Sequence, residues 1–263
     1  MKLSCIIVNY NQNYFPRMCI EALEKNKPDF DFEIIVVDNN SHDESINYLR
    51  KVAEDGLIKL IESPTNLGYG KGNNLGVKNA IGEYVLILNP DIFVDPDTLK
   101  HLVDYMQKHP DIGVLGPQLV YSDGAVQRSC RRNMNFLDLI IKRTPLKKLN
   151  FFKKRLNNYL MEDLSRNETT EVDLLCGACY IFPKDVYDQV EGFDPRYFLF
   201  MEDFDICKKI NKRGYKVIYY PKISVLHNHK RLSDGSLFHL LFKKIFWIHV
   251  SSAIKYFFKW KGK

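Results

Sequence analysis

Asp91 stands where a carboxylate could take part in catalysis, because it directly follows an apolar run, Tyr84–Leu88, and the kink Asn89-Pro90. Pro90 has no backbone N–H to donate to a neighbouring strand, so it helps to end the strand and to fix where the acid points. A lone carboxylate at a strand tip suits a hard divalent cation that keeps water ligands and binds substrate phosphates. The alternative is a purely structural aspartate in a turn.

A second acidic cluster, Glu202, Asp203 and Asp205, follows the aromatic run Tyr197–Phe200. Acids in the first turn of a helix stabilise its positive end, and that alone could explain them. Three acids in four positions nevertheless exceed what one helix end requires, and their mutual repulsion raises one pKa toward the range of a general base. The aromatic run could line an acceptor pocket.

Two further features could contact a phosphate or a metal. His227 stands just past an apolar strand, where it is either a structural histidine or a further metal contact beside a carboxylate and a diphosphate. The segment Asn66–Gly76 is rich in glycine but lacks the lysine-serine ending of a phosphate loop. Its glycines either let the backbone approach a ligand or let a helix pack on a sheet, and Lys71 could reach a phosphate.

Buried parallel strands are predicted to position these residues. Continuous apolar runs bounded by turn residues predict strands covered on both faces, and helical patterns lie between them, so the first hundred residues form a βαβαβ sheet. Ligands on such sheets bind beyond the carboxyl ends of the strands, where Asp38 and Asp91 stand. The four runs are Leu3–Val8, Phe32–Val37, Ile58–Glu62 and Tyr84–Leu88.

Other acids near these strand ends are explained by helix capping. Ser41 with Glu44 three residues later predicts a capping box. Asp95, Pro96 and Asp97 predict the N-cap, the first position and a first-turn acid of a helix over 98–108.

The second half is less regular. We predict one compact domain over 1–234, with a donor half (1–97) and an acceptor half (98–234), followed by a basic tail (235–263). The elements predicted in the acceptor half are strand and loop over 118–132, a basic helical insertion over 137–164, a strand over 172–182, a helix over 202–212 that ends at Gly214, and a strand over 216–220.

Composition narrows the function classes. The 263 residues, 45% of them hydrophobic, suffice for a packed core. Six scattered cysteines and an amino terminus without a signal-peptide pattern predict a cytoplasmic protein with buried thiols, although Cys176 and Cys179 have the spacing of a redox or zinc pair. The net charge is +6, but no nucleic-acid-binding motif is present, so nucleic acid is excluded as a partner.

The excess positive charge lies in the tail, because no acid follows Asp234 while six lysines do. At helical spacing, Lys244, Lys255 and Lys259 share one face opposite an apolar surface, which predicts a helix lying in the plane of an anionic membrane. The basic segment 139–161 is expected on the same surface and favours a lipid-diphosphate-linked acceptor. The alternative is a helix docked on the core or on a second subunit of a homodimer.

Eight short segments, none specific alone, occur in order: Ser4–Asn11, Ile35–Ser41, Asn66–Gly76, Leu88–Asp91, Gly177–Cys179, Gly192–Asp194, Glu202–Asp205 and His227. Together they resemble the family 2 inverting glycosyltransferases of the GT-A fold, and most closely their rhamnosyltransferase-like branch. The resemblance implies a Rossmann-like, mostly parallel sheet with a mixed acceptor half and an amphipathic helical tail. It also implies sugar transfer from a nucleoside-diphosphate sugar, with dTDP-rhamnose the best guess, to a saccharide or lipid-linked saccharide at the inner face of the cell membrane.

The resemblance also assigns roles. Asp203 is expected to be the catalytic base and Glu202 to orient the acceptor. Asp91 is expected to bind Mg²⁺ or Mn²⁺, supported by His227. Asn89 replaces the first acid of the family's DxD motif, so one carboxylate is expected to suffice. Asp38 is expected to contact the base, and the donor site as a whole to comprise Val8, Asn9, Tyr10, Asp38, Asn40, Gly68, Lys71, Asn89 and Asp91.

Two other classes of function compete with this interpretation. A nucleotidyltransferase is also an α/β, metal-dependent protein, but it needs an arginine-containing glycine-rich loop after the first strand, where this chain has Asn9-Tyr10-Asn11-Gln12. A non-catalytic sugar-nucleotide-binding module would bind donor without transferring or hydrolysing it.

Overall fold

The computed structural model describes residues 1–95, 97–228 and 243–262. The strands in chain order are β1 (Leu3–Asn9), β2 (Phe32–Asp38), β3 (Lys59–Glu62), β4 (Tyr84–Leu88), β5 (Ile92–Phe93), β6 (Ile112–Val120), β7 (Cys130–Arg131), β8 (Thr170–Glu171), β9 (Leu174–Leu175), β10 (Cys179–Pro183) and β11 (Lys216–His227). The α-helices are α1 (Phe15–Lys25), α2 (Ser45–Glu54), α3 (Tyr69–Lys78), α4 (Thr98–Lys108), α5 (Phe136–Arg143), α6 (Asn150–Tyr159), α7 (Lys184–Gln189), α8 (Glu202–Lys212) and α9 (Lys244–Lys259), with a 3₁₀ turn at Pro145–Lys148.

The central sheet has the strand order β3-β2-β1-β4-β10-β6-β11-β5, and β8 pairs with β11. Strands β1 to β4 pair in parallel, as do β6 and β11, whereas β10 is antiparallel to both β4 and β6. Strands β7 and β9 form a separate two-stranded sheet. The α/β class with a mostly parallel sheet and a mixed second half is therefore confirmed.

Strand β1 is buried along its whole length because helices cover both faces of the sheet. Successive side chains of a strand point to opposite faces. Cys5 and Ile7 accordingly pack in one core cluster with Leu23 of α1, and Ile6 packs in a second cluster with Val77 of α3. The apolar runs thus form the predicted strands, with bounds one residue from the predicted ones or identical to them.

Both capping predictions need correction. Helix α2 begins at Ser45 with Glu44 at its N-cap, so Ser41 caps nothing, and its side chain instead accepts hydrogen bonds from Asn9 and Asn11. Helix α4 has the predicted bounds, but its N-cap is Asp97 rather than Asp95, in the left-handed region at φ 63°. Pro96 lies outside the described residues.

In the second half, the predicted strand over 172–182 is two short strands, β9 and β10, separated by a turn at residues 176–178. Strand β11 runs on to His227, beyond the predicted end at Tyr220, because it continues beside β6 after a register shift between Tyr220 and Ser224. Helix α8 has the predicted bounds, and Gly214 follows it at φ 85°.

Helix α9 packs on the rest of the protein, which is the alternative that the sequence left open. Ala253 and Tyr256 share a core cluster with Tyr159 of α6 and with Tyr197 and Met201. The first part of the predicted tail, through residue 242, lies outside the described residues. None of the helices in the described ranges combines the length and the apolar character needed to cross a bilayer.

Candidate active site

A buried polar network lies at the carboxyl end of β1 and β2. The side-chain amide of Asn9 donates to Asp38 Oδ1 at 2.8 Å and to the hydroxyl of Ser45 at 2.8 Å. Asp38 Oδ2 accepts the backbone N–H of Ser41 at 2.8 Å. Asp38 therefore links β1 through Oδ1 with the loop after β2 through Oδ2, a structural role that the sequence did not predict.

The other predicted donor residues of these strand ends differ in exposure. Val8 and Asn9 are buried in β1, whereas Tyr10, just after the end of β1, is 44% exposed. Asn40 adopts a positive φ of 65°, a conformation that asparagine tolerates better than most residues. Tyr10 and Asn40 therefore both belong to the loops just past the strand ends, where a ligand has access.

The glycine-rich segment lets helix α3 pack closely against β1 and against the loop that contains Phe198. Gly68 has φ 82°, and a Cβ there would lie 2.2 Å from the carbonyl oxygen of Phe198. A Cβ at Gly76 would lie 2.4 Å from the side chain of Ile6 in β1. These two glycines thus permit close packing of helix on sheet and of α3 on the acceptor half. Lys71, in the first turn of α3, is exposed.

Asp91 and His227 meet where β5 pairs with the end of β11. Asp91 Oδ1 lies 3.6 Å from His227 Nε2, and the backbone carbonyl of Asp91 accepts the N–H of Asn228 at 3.0 Å. Burial raises the pKa of Asp91 from 3.8 to about 6. The structure therefore brings together the two residues that were predicted to bind a metal.

Gln127 fixes which nitrogen of His227 carries the proton. Its amide nitrogen donates to the carbonyl oxygens of His227 at 2.9 Å and Val120 at 3.3 Å, so its oxygen Oε1 faces His227 Nδ1 at 2.8 Å. Because Oε1 can only accept, Nδ1 carries the hydrogen in the neutral imidazole. Nε2 is then an acceptor that faces the carboxylate of Asp91.

Two acceptors held 3.6 Å apart repel each other unless a proton or a cation lies between them. A carboxylate oxygen and a neutral imidazole nitrogen, the latter oriented by a partner on its other nitrogen, are ordinary ligands for a divalent cation. No group of three His, Cys, Asp or Glu side chains in the described ranges could hold a metal by itself. The pair therefore fits a cation that takes its remaining ligands from water and substrate phosphates.

Glu202 and Asp203 form a buried acidic pair at the start of α8. Asp203 accepts the N–H groups of Phe204 at 2.9 Å and Gly177 at 3.2 Å, while Glu202 Oε2 has no hydrogen-bond partner among the described residues. Burial, and then repulsion by Asp203, raises the pKa of Glu202 to about 8; burial also raises the pKa of Asp203 above its ordinary value. The raised pKa of Glu202 lies in the range of a group that exchanges a proton near neutral pH, and the pKa of Asp203 is shifted in the same direction.

The turn between β9 and β10 connects this pair to the end of β4. Gly177 donates its N–H to Asp203, and the carbonyl of the next residue, Ala178, accepts the N–H of Asn89 at 2.8 Å. Asn89 is two residues from Asp91. These contacts connect Asp203 and the segment Asn89–Asp91 through one short turn, beside the carboxyl end of β4.

Arg131, in β7, is a site residue that the sequence analysis missed. It is buried, its Nε has no partner among the described residues, and its positive charge lowers the pKa of Asp203. It thus offsets part of the cost of burying a carboxylate there. The only signal in the sequence was a group of three arginines, Arg128, Arg131 and Arg132, inside a stretch predicted as strand and loop.

Asp205, the third acid of the cluster, has a different role. It is fully buried and bonds the Lys259 ammonium at 2.7 Å and the Trp260 indole N–H at 2.8 Å. Lys259 also contacts Asp194 at 2.7 Å. The prediction that all three acids repel one another and so raise the pKa of a general base is therefore wrong for Asp205. This residue instead anchors the C-terminal helix.

The sheet order, the antiparallel β10 and the acids at the sheet edge define the GT-A class of nucleotide-sugar-binding folds. The structure superposes on that of GalNAc-T7, solved with UDP, GalNAc and Mn²⁺, with a TM-score of 0.73 and 18% identity, over 100% of this chain and 48% of that one. The family description of glycosyl transferase family 2 matches residues 4–190, and the chain belongs to that family.

Two relatives are similar in sequence. The N-acetylglucosaminyl-diphospho-decaprenol L-rhamnosyltransferase of Mycobacterium tuberculosis is 31% identical over 192 residues, which are 68% of this chain and 61% of that protein. The rhamnosyltransferase WbbL of Escherichia coli K12 is 24% identical over 262 residues, 95% of this chain and 90% of that one. The chain thus spans less than two thirds of the mycobacterial relative. The resemblance to the rhamnosyltransferase-like branch is confirmed.

Proposed function

We propose that this chain is an inverting glycosyltransferase that moves a sugar from a nucleoside-diphosphate sugar to a hydroxyl of a saccharide acceptor. The observation that supports this most directly is the buried pair Glu202 and Asp203 beside the turn at Gly177, with Asp91 and His227 beyond that turn. A sugar-transfer reaction needs a proton acceptor for the attacking hydroxyl and a phosphate-binding group for the leaving diphosphate. The two pairs on either side of this turn match these two needs.

Asp203 is the proposed base. Its carboxylate takes the proton of the acceptor hydroxyl while the hydroxyl oxygen forms a bond to the anomeric carbon. The bond between that carbon and the diphosphate oxygen breaks, the electron pair leaves with the diphosphate, and attack opposite the leaving group inverts the anomeric centre. Gly177 and Phe204 orient the carboxylate through their N–H groups, and Arg131 favours its ionised form.

Glu202 is the proposed acceptor-orienting group. Because its pKa is raised to about 8, it is protonated over part of the neutral range and can donate a hydrogen bond to an acceptor oxygen. It lies directly next to the base in the first turn of α8. A neutral Glu202 also avoids placing two full negative charges side by side in a buried site.

The donor is proposed to lie over the ends of β1, β2 and β4, as in other sheets of this type. Asp38 would contact the base, and Val8, Asn9, Tyr10 and Asn40 would surround base and ribose. Toward the phosphates, the remaining donor residues would be Gly68, Lys71, Asn89 and Asp91. Tyr10 and Lys71 are exposed and so are free to reach a ligand.

Asp91 and His227 would hold a divalent cation, which supplies positive charge to the departing diphosphate when it is bound. The geometry of this pair and the Mn²⁺ named with GalNAc-T7 support such a cation for this chain. The choice between Mg²⁺ and Mn²⁺ stays a prediction. Gln127 keeps the acceptor nitrogen of His227 directed at the site.

The finer assignment is transfer of rhamnose from dTDP-rhamnose to a lipid-diphosphate-linked saccharide in the synthesis of a cell-surface glycan. It is supported by the mycobacterial relative, whose name includes both a rhamnosyl group and a diphosphate-linked polyprenol, and by the rhamnosyltransferase WbbL. Other UDP or dTDP hexoses stay possible donors. Residues 1–234 as one domain, and a homodimer, also stay predictions.

A donor screen tests the proposal. Purified protein with Mg²⁺ or Mn²⁺ would be mixed with dTDP-rhamnose, UDP-glucose, UDP-galactose or UDP-N-acetylglucosamine, and both thermal shift and release of nucleoside diphosphate would be followed. We expect one sugar nucleotide to stabilise the protein more than its nucleoside diphosphate alone, and to be consumed slowly in water and faster with an acceptor. Binding without any turnover would instead identify a non-catalytic binding module.

A further inference from the structure

The outward side of α9 carries three large apolar side chains, whereas its inward side includes polar anchors. Trp247, Ile254 and Phe258 are 57%, 46% and 75% exposed, and their spacing of seven and four residues places them on one side of the helix. On the inward side, the Ser252 hydroxyl donates to the carbonyl of Leu199 and Lys259 binds two buried carboxylates. An ordinary surface helix turns its large apolar side chains toward the core, so three of them on the outward side need a separate explanation.

The insertion between β7 and β8 continues this exposed apolar surface. Phe136 of α5 and Leu149 and Phe151, at the start of α6, are 54%, 55% and 76% exposed. The ring of Phe136 contacts that of Phe257 in α9, with centroids 5.4 Å apart. The two sequence-distant segments therefore adjoin. Exposed large side chains that gather in one place indicate a binding surface more strongly than isolated ones do.

The charge on this surface has one sign. Between residues 136 and 161 the single acid is Asp138, which is buried and bonded to Arg155, and no acid occurs between 243 and 262. Lys153 and Lys154 of α6 are exposed, as are Lys244 and Lys261 at the two ends of α9. A partner for this surface must therefore accept apolar side chains and carry negative charge.

We propose that the outward side chains of α5, α6 and α9, named here the basic apolar platform, bind the surface of an anionic phospholipid bilayer. Apolar rings enter the boundary between headgroups and acyl chains, and nearby lysines pair with lipid phosphates. A second copy of this chain fits less well, because it would bring the same lysines against each other without acids to pair with them. Helix α9 thus meets the bilayer through its exposed apolar side chains, while its buried side chains Ala253 and Tyr256 pack on the protein.

The basic apolar platform is joined to the acceptor side of the site. Its helices share one core cluster with Tyr197 and Met201, and Met201 immediately precedes Glu202. A bilayer bound there would present a lipid-linked acceptor next to the proposed base. This consequence for the acceptor rests on the proposed function, whereas binding to the bilayer does not.

Co-sedimentation of the full chain with vesicles tests the platform. We expect binding to vesicles of phosphatidylcholine mixed with phosphatidylglycerol, weakened by salt, and little binding to phosphatidylcholine alone. The triple variant Trp247→Ser, Ile254→Ser, Phe258→Ser should bind at least ~10-fold more weakly. Changing Lys244 and Lys261 to Gln should cost about fivefold for each lysine.

Ile81→Ser is the matched control, because Ile81 is 70% exposed but precedes Gly82, which packs on the amino-terminal end of β1, away from the site. It should bind vesicles like the unchanged protein. Equal binding by the triple variant, or equal binding to neutral vesicles, would overturn the proposal. So would a shift from dimer to monomer in the triple variant, seen by sedimentation velocity, because it would identify a second copy as the occupant.

The thermal shift with sugar nucleotide separates this inference from the proposed function. The triple variant should keep that shift, since its changed residues are exposed on α9. A chain that turns over donor but ignores anionic vesicles would overturn the platform alone. A chain that binds these vesicles through the platform but never turns over donor would overturn the proposed function alone.

Discussion

The proposed donor half (1–97) and the proposed acceptor half (98–234) position their candidate site residues in different ways. In the donor half, strands β1 to β4 pair in parallel, and residues such as Asn9 and Asp38 stand at strand ends in matched register. In the acceptor half, contacts between distant parts of the chain hold the acids. Asp203 bonds to a residue 26 positions away, and Asp205 bonds to Lys259, 54 positions away.

This difference predicts where mutations far from the chemistry will matter. A strand end is held by the whole sheet, so a donor residue keeps its place when a distant side chain changes. Helix α8 depends in addition on the turn at Gly177 and on helix α9, which come from either side of it in sequence. Changes in the C-terminal helix should therefore affect the acceptor half more than the donor half.

The largest effect is expected for Asp203→Asn, which removes the proposed base and keeps its shape. Turnover should fall by about 10²- to 10⁴-fold, because the acceptor hydroxyl loses its proton acceptor. Donor affinity, measured by titration calorimetry with the sugar nucleotide and metal, should change little. Asp163→Asn, at an exposed ion pair with Arg132, serves as the control. If donor affinity fell as much as turnover, Asp203 would contribute to donor binding, and the separation of donor binding from proton transfer would be contradicted.

The next largest effect is expected for Lys259→Met, which keeps the length of the side chain but removes its charge. Asp194 and Asp205 would lose a buried partner, and we expect the free energy of unfolding to fall by about 3 kcal/mol in urea titrations. The control Lys184→Met breaks an exposed pair with Asp188 and should cost at most about 1 kcal/mol. A cost as small as that of the control would show that α9 does not hold the acceptor half.

The two halves were also unequally predictable from the sequence. Strands β1, β2 and β4 follow from continuous apolar runs. Asp38 and Asp91 were predicted as donor residues because such strands collect ligand-binding residues at their ends. The sequence predicted that β11 ends at Tyr220, because Pro221, Lys222 and Ser224 interrupt the apolar pattern of a strand. Pairing with β6 after a register shift overrides that weakness, and no local signal shows it.

In the candidate site, the sequence predicted the side chains with proposed catalytic or binding roles, but not the side chains that keep them in position. Asp205 looked like a third catalytic acid because its partners, Lys259 and Trp260, lie in a different element. Lys255 and Lys259 of the tail looked free to meet a membrane for the same reason, but they bond the carbonyl of Arg196 and the carboxylates of Asp194 and Asp205. Gln127 and Arg131 gave no specific signal, since an amide or a guanidinium in a loop acquires its role only from what the fold places beside it.

Gln127→Ala tests the part of the acceptor half that supports the donor site. Without its amide, His227 can adopt the other tautomer or rotate, and affinity for Mn²⁺ in the presence of UDP should fall by about 10- to 100-fold. Free Mn²⁺ can be measured by electron paramagnetic resonance, independently of turnover. Gln118→Ala is a matched control, because this amide bonds Tyr219 and Ser224 rather than His227. Equal Mn²⁺ affinity in both variants would contradict the assigned tautomer.

For Glu202→Gln the expected effect is on the pH dependence of stability rather than on stability or turnover at a single pH. The pKa of Glu202 rises from 4.5 to about 8 on folding, so the folded state binds more protons than the unfolded state between these values. The stabilisation from this group is therefore complete below pH 4.5 and is lost as the pH rises toward 8, with a slope of at most about 1.4 kcal/mol per pH unit. In urea titrations between pH 4.5 and 8, the free energy of unfolding should depend less on pH in Glu202→Gln than in the unchanged protein. Glu83→Gln, at an exposed site, should keep the original pH dependence. An unchanged slope in Glu202→Gln would mean that this carboxyl is ionised in the folded protein, and that it orients the acceptor by accepting a hydrogen bond rather than donating one.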